Sequence, residues 1–230
     1  MATIEKNLTI TEKVYVRVRL ANENDIHHIY KLFYQIHEYH NYTHLYKATE
    51  SSLCDLLFNK TNPSPLFYGP SVLLLEVSPT PFSDINNKDE KLKPILKQFD
   101  LRANVVDKEA DEFKSKSINN DDEKNDVFIA GYAFFYANYS CFYDKAGIYF
   151  ESLYFRESYR KLGMGKLLFG TVASIAANNG FSSVEGIVAV WNKKSYDFYV
   201  DMGVEIFDEF RYGKLVGDAL KKYADQKEKV

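Results

Sequence analysis

Cysteine is scarce in this chain. Only Cys54 and Cys141 occur among 230 residues, in neither a CxxC nor a metal-ligand spacing. That argues against a disulfide framework and predicts free, buried thiols in a reducing compartment. The sequons at Asn7, Asn41, Asn59 and Asn138 then carry little weight, since a cytoplasmic chain never meets the glycosylation machinery. An excess of positive charge is also missing. Lys and Arg number 29 against 32 Asp and Glu, a net charge of -3. Neither a nucleic-acid footprint nor a polybasic membrane patch is present. No apolar run approaches a bilayer's thickness, and Met1-Ala-Thr-Ile-Glu-Lys-Asn7 lacks the apolar core of a signal peptide. The expectation is a soluble, cytoplasmic protein with no nucleic-acid or membrane partner.

A metal motif is absent too. All five histidines fall between His27 and His44, but His37-Glu-Tyr-His40-Asn41 is not His-Glu-x-x-His, because Asn41 stands in the second ligand position. No metal is expected. Aromatic rings, by contrast, are abundant: 18 Tyr and 17 Phe, 16% aromatic with the tryptophan. So many rings suggest an aromatic-lined cavity beside an aromatic core, although most of them simply pack.

The length suits one α/β domain, 14–230, behind a tail of 1–13, with a polar, flexible insertion at about 79–126. Lys13 to Arg19 alternates as a strand, and Asn22-Glu-Asn-Asp25 caps a helix with Ile26, Ile29, Leu32, Phe33 and Ile36 on one face. Thr49 to Phe58 reads as a shorter helix, and Pro63 and Pro65 mark a loop. Ser71 to Val77 is an apolar strand. From Ser78 to Asp126 polar residues dominate, with one short ordered piece near Ile95 to Leu101. Val127 to Asn138 and Gly147 to Phe155 form a hairpin. A helix follows to Ala177, then a strand Val184 to Val190, a helix Lys193 to Met202, a strand Val204 to Tyr212 and a polar helix Val216 to Ala224. The order describes a mixed sheet in an α/β fold, not a doubly wound one.

The most informative stretch is Tyr159-Arg-Lys-Leu-Gly163-Met-Gly165-Lys166, an Arg-x-x-Gly-x-Gly turn between strand and helix. Glycines let backbone approach an anion, and a helix N-terminus adds roughly half a positive charge. The turn is no Walker loop, lacking Gly-Lys-Ser/Thr, and it lacks the first glycine of the dinucleotide fingerprint. By itself it reads equally well as a phosphate cradle or as an ordinary tight turn.

Taken together, the mixed sheet, this turn, and Trp191-Asn192 followed by Phe198-Tyr199 resemble the GNAT superfamily of acyl-CoA-dependent N-acyltransferases. The segments Tyr149 to Gly165 and Val190 to Gly203 are similar to diamine (spermidine/spermine) acetyltransferases. Val16 to Asn22, Tyr30 to His44 and Phe67 to Val77 are similar to the plant tyramine N-hydroxycinnamoyltransferase group. The resemblance implies a GNAT fold and transfer of a feruloyl, coumaroyl or caffeoyl group from its CoA thioester to tyramine. Acyl-CoA would be a co-substrate, no cofactor would be permanently bound, and the enzyme would be a homodimer. A diamine or ornithine acetyltransferase shares the scaffold, and a non-catalytic CoA-binding module is a rival of another class.

The same resemblance assigns site residues. Backbone amides of Lys161, Leu162, Gly163, Met164, Gly165 and Lys166 would hold the CoA pyrophosphate. Arg160 and Lys166 could add charge or simply be solvated cations. Leu153, Tyr154 and Phe155 would pair with the pantetheine arm and aim a backbone N–H at the thioester oxygen. Tyr199 matches the general acid for the leaving thiolate, and Asn192 a residue bonding the CoA arm; Asn192 equally suits an N-cap. Glu151, a carboxylate in an apolar strand, is either satisfied structurally or positioned to take the ammonium's proton. Tyr39 and His40 would border the acceptor site, where a related acetyltransferase has an acidic residue in place of His40; the competing reading is a wet helix end. Neither cysteine has a nucleophile's setting, so attack is expected to be direct, in a ternary complex.

Overall fold

The computed structural model describes residues 8–58, 69–82, 92–115, 126–140 and 144–223. The chain divides into two units, one ending at Ile187 and the other beginning at Val188, and each is described by itself. In the first lie strands β1 (Leu8–Ile10), β2 (Lys13–Leu20), β3 (Ser71–Ser78), β4 (Ile95–Asp100), β5 (Val105–Asp107), β6 (Phe128–Ser140), β7 (Lys145–Phe155) and β8 (Val184–Glu185). Its helices are α1 (Ile26–Tyr39), α2 (Glu50–Phe58) and α3 (Met164–Asn178). The second unit holds α4 (Lys193–Asp201) and α5 (Gly217–Lys221).

Six strands form one sheet in the order β4-β2-β3-β6-β7-β8. Every neighbouring pair is antiparallel except β7 and β8, which are parallel. The central strand β3 carries the apolar run Val72-Leu73-Leu74-Leu75 and is buried along nearly its whole length, as a strand covered on both faces must be. Helix α1 starts where Asn22 and Asp25 cap each other: the Asn24 amide donates to Asn22 Oδ1 at 2.9 Å, and the Asn22 amide to Asp25 Oδ2 at 2.8 Å. Its Ile29, Leu32 and Phe33 pack on Val72, Leu74, Ile129 and Tyr132 of the sheet. Each such side chain contributes roughly 1.5–3 kcal/mol by leaving water.

The alternation in β2 is real, but its arginines are not in water. Arg17 and Arg19 are buried on Glu76 of β3: Arg17 Nε donates to Glu76 Oε2 at 2.6 Å, and Arg19 Nη2 to Oε1 at 2.7 Å. Arg19 also grips Asp25 with both terminal nitrogens, at 2.7 and 2.8 Å. Burial would raise the Glu76 carboxyl, but the charges of Arg19 and Arg17 and hydrogen bonds from Arg19 and Ser115 outweigh it and hold it near about 2.

Four stretches depart from the sequence expectation. The tail is not all tail, because Leu8–Ile10 pairs antiparallel with β5. In the polar stretch 79–126 the ordered piece expected near Ile95 to Leu101 is β4, paired with β2, but order extends beyond it, with Val105, Asp107, Ala110 and Phe113 buried. Sparse apolar residues there pack at single points, a pattern with no period to read. The strand expected over Val184 to Val190 shrinks to two residues. At Gly186 a Cβ would stand 2.5 Å from the Phe150 carbonyl oxygen, so the backbones touch there, and no pairing with β7 follows. Finally, residues 204–216 form no strand, since alternation alone supplies no ladder partner. The loop at Pro63 and Pro65, Cys141 and the end of the last expected helix lie outside the described residues; Cys54 is half-buried.

Candidate active site

The turn is built from strained backbone held at a helix start. Lys161 has φ 64° and Gly163 φ 83°, both left-handed, with Leu162 between them. Alternation of this kind turns successive N–H groups toward one concavity, which suits an anion. Only glycine takes such a conformation without strain, so Lys161 is the unusual member. Gly163 is the N-cap of α3 and offers no side-chain acceptor, leaving the first-turn amides of Met164 and Gly165 for a ligand. Met164 is buried and anchors the helix, while Lys161 and Lys166 are exposed. Arg160 Nε donates to the Phe155 carbonyl at 2.8 Å, and its guanidinium lies 5.3 Å from the ring centres of both Tyr39 and Tyr154. That one side chain therefore joins the turn, the end of α1 and strand β7.

Strand β7 carries a bulge. Phe134 of β6 pairs with Ser152 and Phe135 with Phe150, so Glu151 is the extra residue. A bulge re-aims the residue it inserts. Glu151 is exposed and accepts a hydrogen bond from the Tyr136 hydroxyl at 3.3 Å. On the opposite edge β8 pairs with β7 only at Ile148 and Tyr149. Among the described residues no strand continues that ladder beside Leu153, Tyr154 and Phe155, which leaves an edge open to an extended ligand. Leu153 and Tyr154 are half-buried and Phe155 is buried. Burial pushes the Tyr154 phenol up, against the charge of Arg160.

At the end of α1, Tyr39 is 43% exposed, and its ring meets His40 edge-on at 5.4 Å. His40 is the helix C-cap and lies parallel to Tyr42 at 6.4 Å. Burial, then the nearby His37, lowers the His40 imidazole below its ordinary value, which keeps it neutral near pH 7. A line of rings, Phe33, Phe134, Tyr136 and Tyr149, runs from α1 to the bulge with centroids 5.2 to 6.3 Å apart.

In the second unit Asn192 is buried and caps α4, its Oδ1 accepting from the Ser195 amide at 3.3 Å. The capping reading of Asn192 is thus present in the structure. Tyr199 on α4 is half-buried, and burial pushes its phenol up to about 12. Among the described residues no cluster of three His, Cys, Asp or Glu is arranged to hold a metal ion, and no helix is long and apolar enough to cross a membrane.

The profile of the Acetyltransferase (GNAT) family matches residues 83–204, more than half of the chain. The chain belongs to this family. It is 88% identical over 228 residues to tyramine N-feruloyltransferase 10/30 of Nicotiana tabacum, covering 99% of each chain. It is 36% identical to an L-ornithine N5-acetyltransferase of Arabidopsis thaliana, covering 95% of this chain and 92% of that one. Among solved structures it is similar to an integron cassette protein of V. cholerae, with a TM-score of 0.54 at 15% identity, over 91% of this chain and 98% of the other. That likeness concerns the fold alone. The chain is a CoA-dependent N-acyltransferase, and GNAT acyltransferases take acyl-CoA as co-substrate.

Within the GNAT fold, the Arg160 to Lys166 turn, Glu151, Tyr154, Tyr39 and His40 all fall in the first unit, and the Arg160 side chain reaches both Tyr39 and Tyr154. Tyr136, whose hydroxyl bonds Glu151, was missed by sequence reasoning. Tyr136 is one tyrosine among 18, with no spacing to single it out.

Proposed function

We propose that this enzyme transfers a hydroxycinnamoyl group, feruloyl above all, from its CoA thioester to the primary amine of tyramine. The observation that carries the reading is the 88% identity to tyramine N-feruloyltransferase across 99% of both chains. The local chemistry agrees. The aromatic line from Phe33 to Tyr149 provides flat apolar surface for phenolic rings. A neutral His40 can exchange hydrogen bonds with a phenol and does not attract a second cation.

In this reading the amides of Lys161 through Lys166 hold the pyrophosphate, and the open edge at Leu153, Tyr154 and Phe155 takes the pantetheine arm. Tyramine arrives as ammonium, and Glu151 accepts its proton directly or through water. The free amine attacks the thioester carbonyl, and a backbone N–H of β7 stabilises the oxyanion. The tetrahedral intermediate gives up the extra proton on its nitrogen to solvent and collapses to the amide, while the departing CoA thiolate takes the phenolic proton of Tyr199, which is then reprotonated from solvent. A phenol raised to about 12 by burial is protonated throughout the physiological range and can serve as that donor. Asn192 bonds the CoA arm while capping α4. We take the enzyme to be cytoplasmic, in keeping with its scarce cysteines, and a homodimer, as the family resemblance implies; sedimentation equilibrium would check the second point.

The test is a matrix of feruloyl-, coumaroyl-, caffeoyl- and acetyl-CoA against tyramine, putrescine and ornithine, with products read by mass spectrometry. The expected products are hydroxycinnamoyl tyramines. A product from acetyl-CoA and a diamine or ornithine alone would refute the assignment.

A further inference from the structure

We propose that Asp107 is a positioning residue for acyl-CoA, buried beneath the Arg-x-x-Gly-x-Gly turn and fixing how its backbone amides meet the pyrophosphate. The inference rests on reading that turn as the pyrophosphate cradle.

Asp107 ends β5 and is fully buried. All its acceptor sites are engaged. Arg156 Nη1 and Nη2 donate to Oδ1 and Oδ2, each at 2.7 Å. The Tyr159 hydroxyl donates to Oδ2 at 2.7 Å, and the Glu109 amide to Oδ1 at 3.0 Å. A carboxylate has about four such sites, so this one is filled. Arg156 is equally enclosed: its Nε donates to the Ile129 carbonyl at 2.8 Å, and its guanidinium lies 4.3 Å from the Phe113 ring centre. Beside it, Ser158 Oγ donates to the Val106 carbonyl at 2.8 Å.

The placement of these ties separates a role in the turn from simple support of the core. Arg156, Ser158 and Tyr159 are each bonded to β5, and they stand at the entrance of the turn. Two residues after Tyr159, Lys161 is left-handed at φ 64°. A non-glycine residue keeps that conformation only where its surroundings over-determine it. Asp107 supplies that constraint through Arg156, 49 residues away in sequence, and through Tyr159, out of the stretch whose composition reads as solvated. The segment 105–107 is in this light the floor of the cofactor turn.

The test pairs two thioesters that differ in the pyrophosphate: feruloyl-CoA, and feruloyl-pantetheine, which lacks it. Asp107→Asn weakens a buried ion pair and endangers folding, so the decisive variant is Tyr159→Phe, which removes one donor and keeps Arg156 paired. The expected result is a KM for feruloyl-CoA raised about three- to tenfold, the weight of a partly transmitted hydrogen bond to a charged group. The KM for tyramine and kcat/KM with feruloyl-pantetheine should match the unsubstituted enzyme. Gly163→Ala, which strains the turn directly, is run in parallel. If Gly163→Ala weakens feruloyl-CoA and Tyr159→Phe does not, the role of Asp107 is refuted while the cradle stands. If Tyr159→Phe harms both thioesters equally, the contact is only structural and the proposal fails. If neither variant changes the KM for feruloyl-CoA, the cradle reading and this inference fall together.

Discussion

Tyr136 donates its hydroxyl to Glu151 across the β6–β7 bulge, 3.3 Å from Oε2. The pair explains how a carboxylate in an otherwise apolar strand is both presented and restrained. The bulge turns Glu151 outward, and the phenol of the neighbouring strand limits where it can go. If Glu151 takes the ammonium's proton, Glu151→Gln should lower kcat/KM for tyramine by about 10² or more. Tyr136→Phe keeps the carboxylate and loosens it, with an expected loss of about three- to tenfold. Steady-state kinetics with both substrates varied checks this, since the KM for acyl-CoA should stay unchanged in each variant.

Tyr199→Phe should reduce kcat by about 10²-fold with little change in the KM for acyl-CoA. Burial raises this phenol from 10 to about 12, so its acid form persists through pH 10. The enzyme should therefore lose no activity to Tyr199 ionisation below that pH. An alkaline limb below pH 10 that disappears in Tyr199→Phe would show a phenol less raised than its burial implies, whereas turnover left intact in Tyr199→Phe at every pH would overturn the assignment.

His40→Asp places a negative charge at the end of α1, where the native imidazole is held neutral. The expected outcome is a shift of preference toward diamines, by about tenfold in the ratio of kcat/KM for putrescine and tyramine. Competition between the two amines in one reaction measures that ratio directly.

Acid stability should follow Glu76. Its carboxyl lies near about 2 in the fold against an ordinary 4.5, so the stabilisation is complete above pH 4.5. It is lost as pH falls toward 2, at up to about 1.4 kcal/mol per pH unit. Urea titrations at several pH values would show the slope. Glu76→Gln should be less stable near neutrality, because Arg17 and Arg19 lose their shared anion, and should have a flatter profile between pH 4.5 and 2.

Local signals wrote much of this protein. The Asn22–Asp25 capping box, the apolar face of α1, the run Val72 to Leu75 and the β6–β7 hairpin are each set by neighbours in the chain, so they could be read there. The turn from Arg160 to Lys166 was legible for the same reason: glycine placement fixes backbone conformation locally. Tertiary structure decided the rest. Whether Arg17 and Arg19 meet water or Glu76 depends on a strand almost 60 residues away. Whether Val184 to Val190 is a strand depends on where the Phe150 carbonyl stands. Asp107 sits in a polar stretch with no period, and its partners come from the far side of the insertion. Periodicity and caps report hydrogen bonds made within a few residues; buried charges and ladder edges are settled by whichever distant chain arrives to meet them.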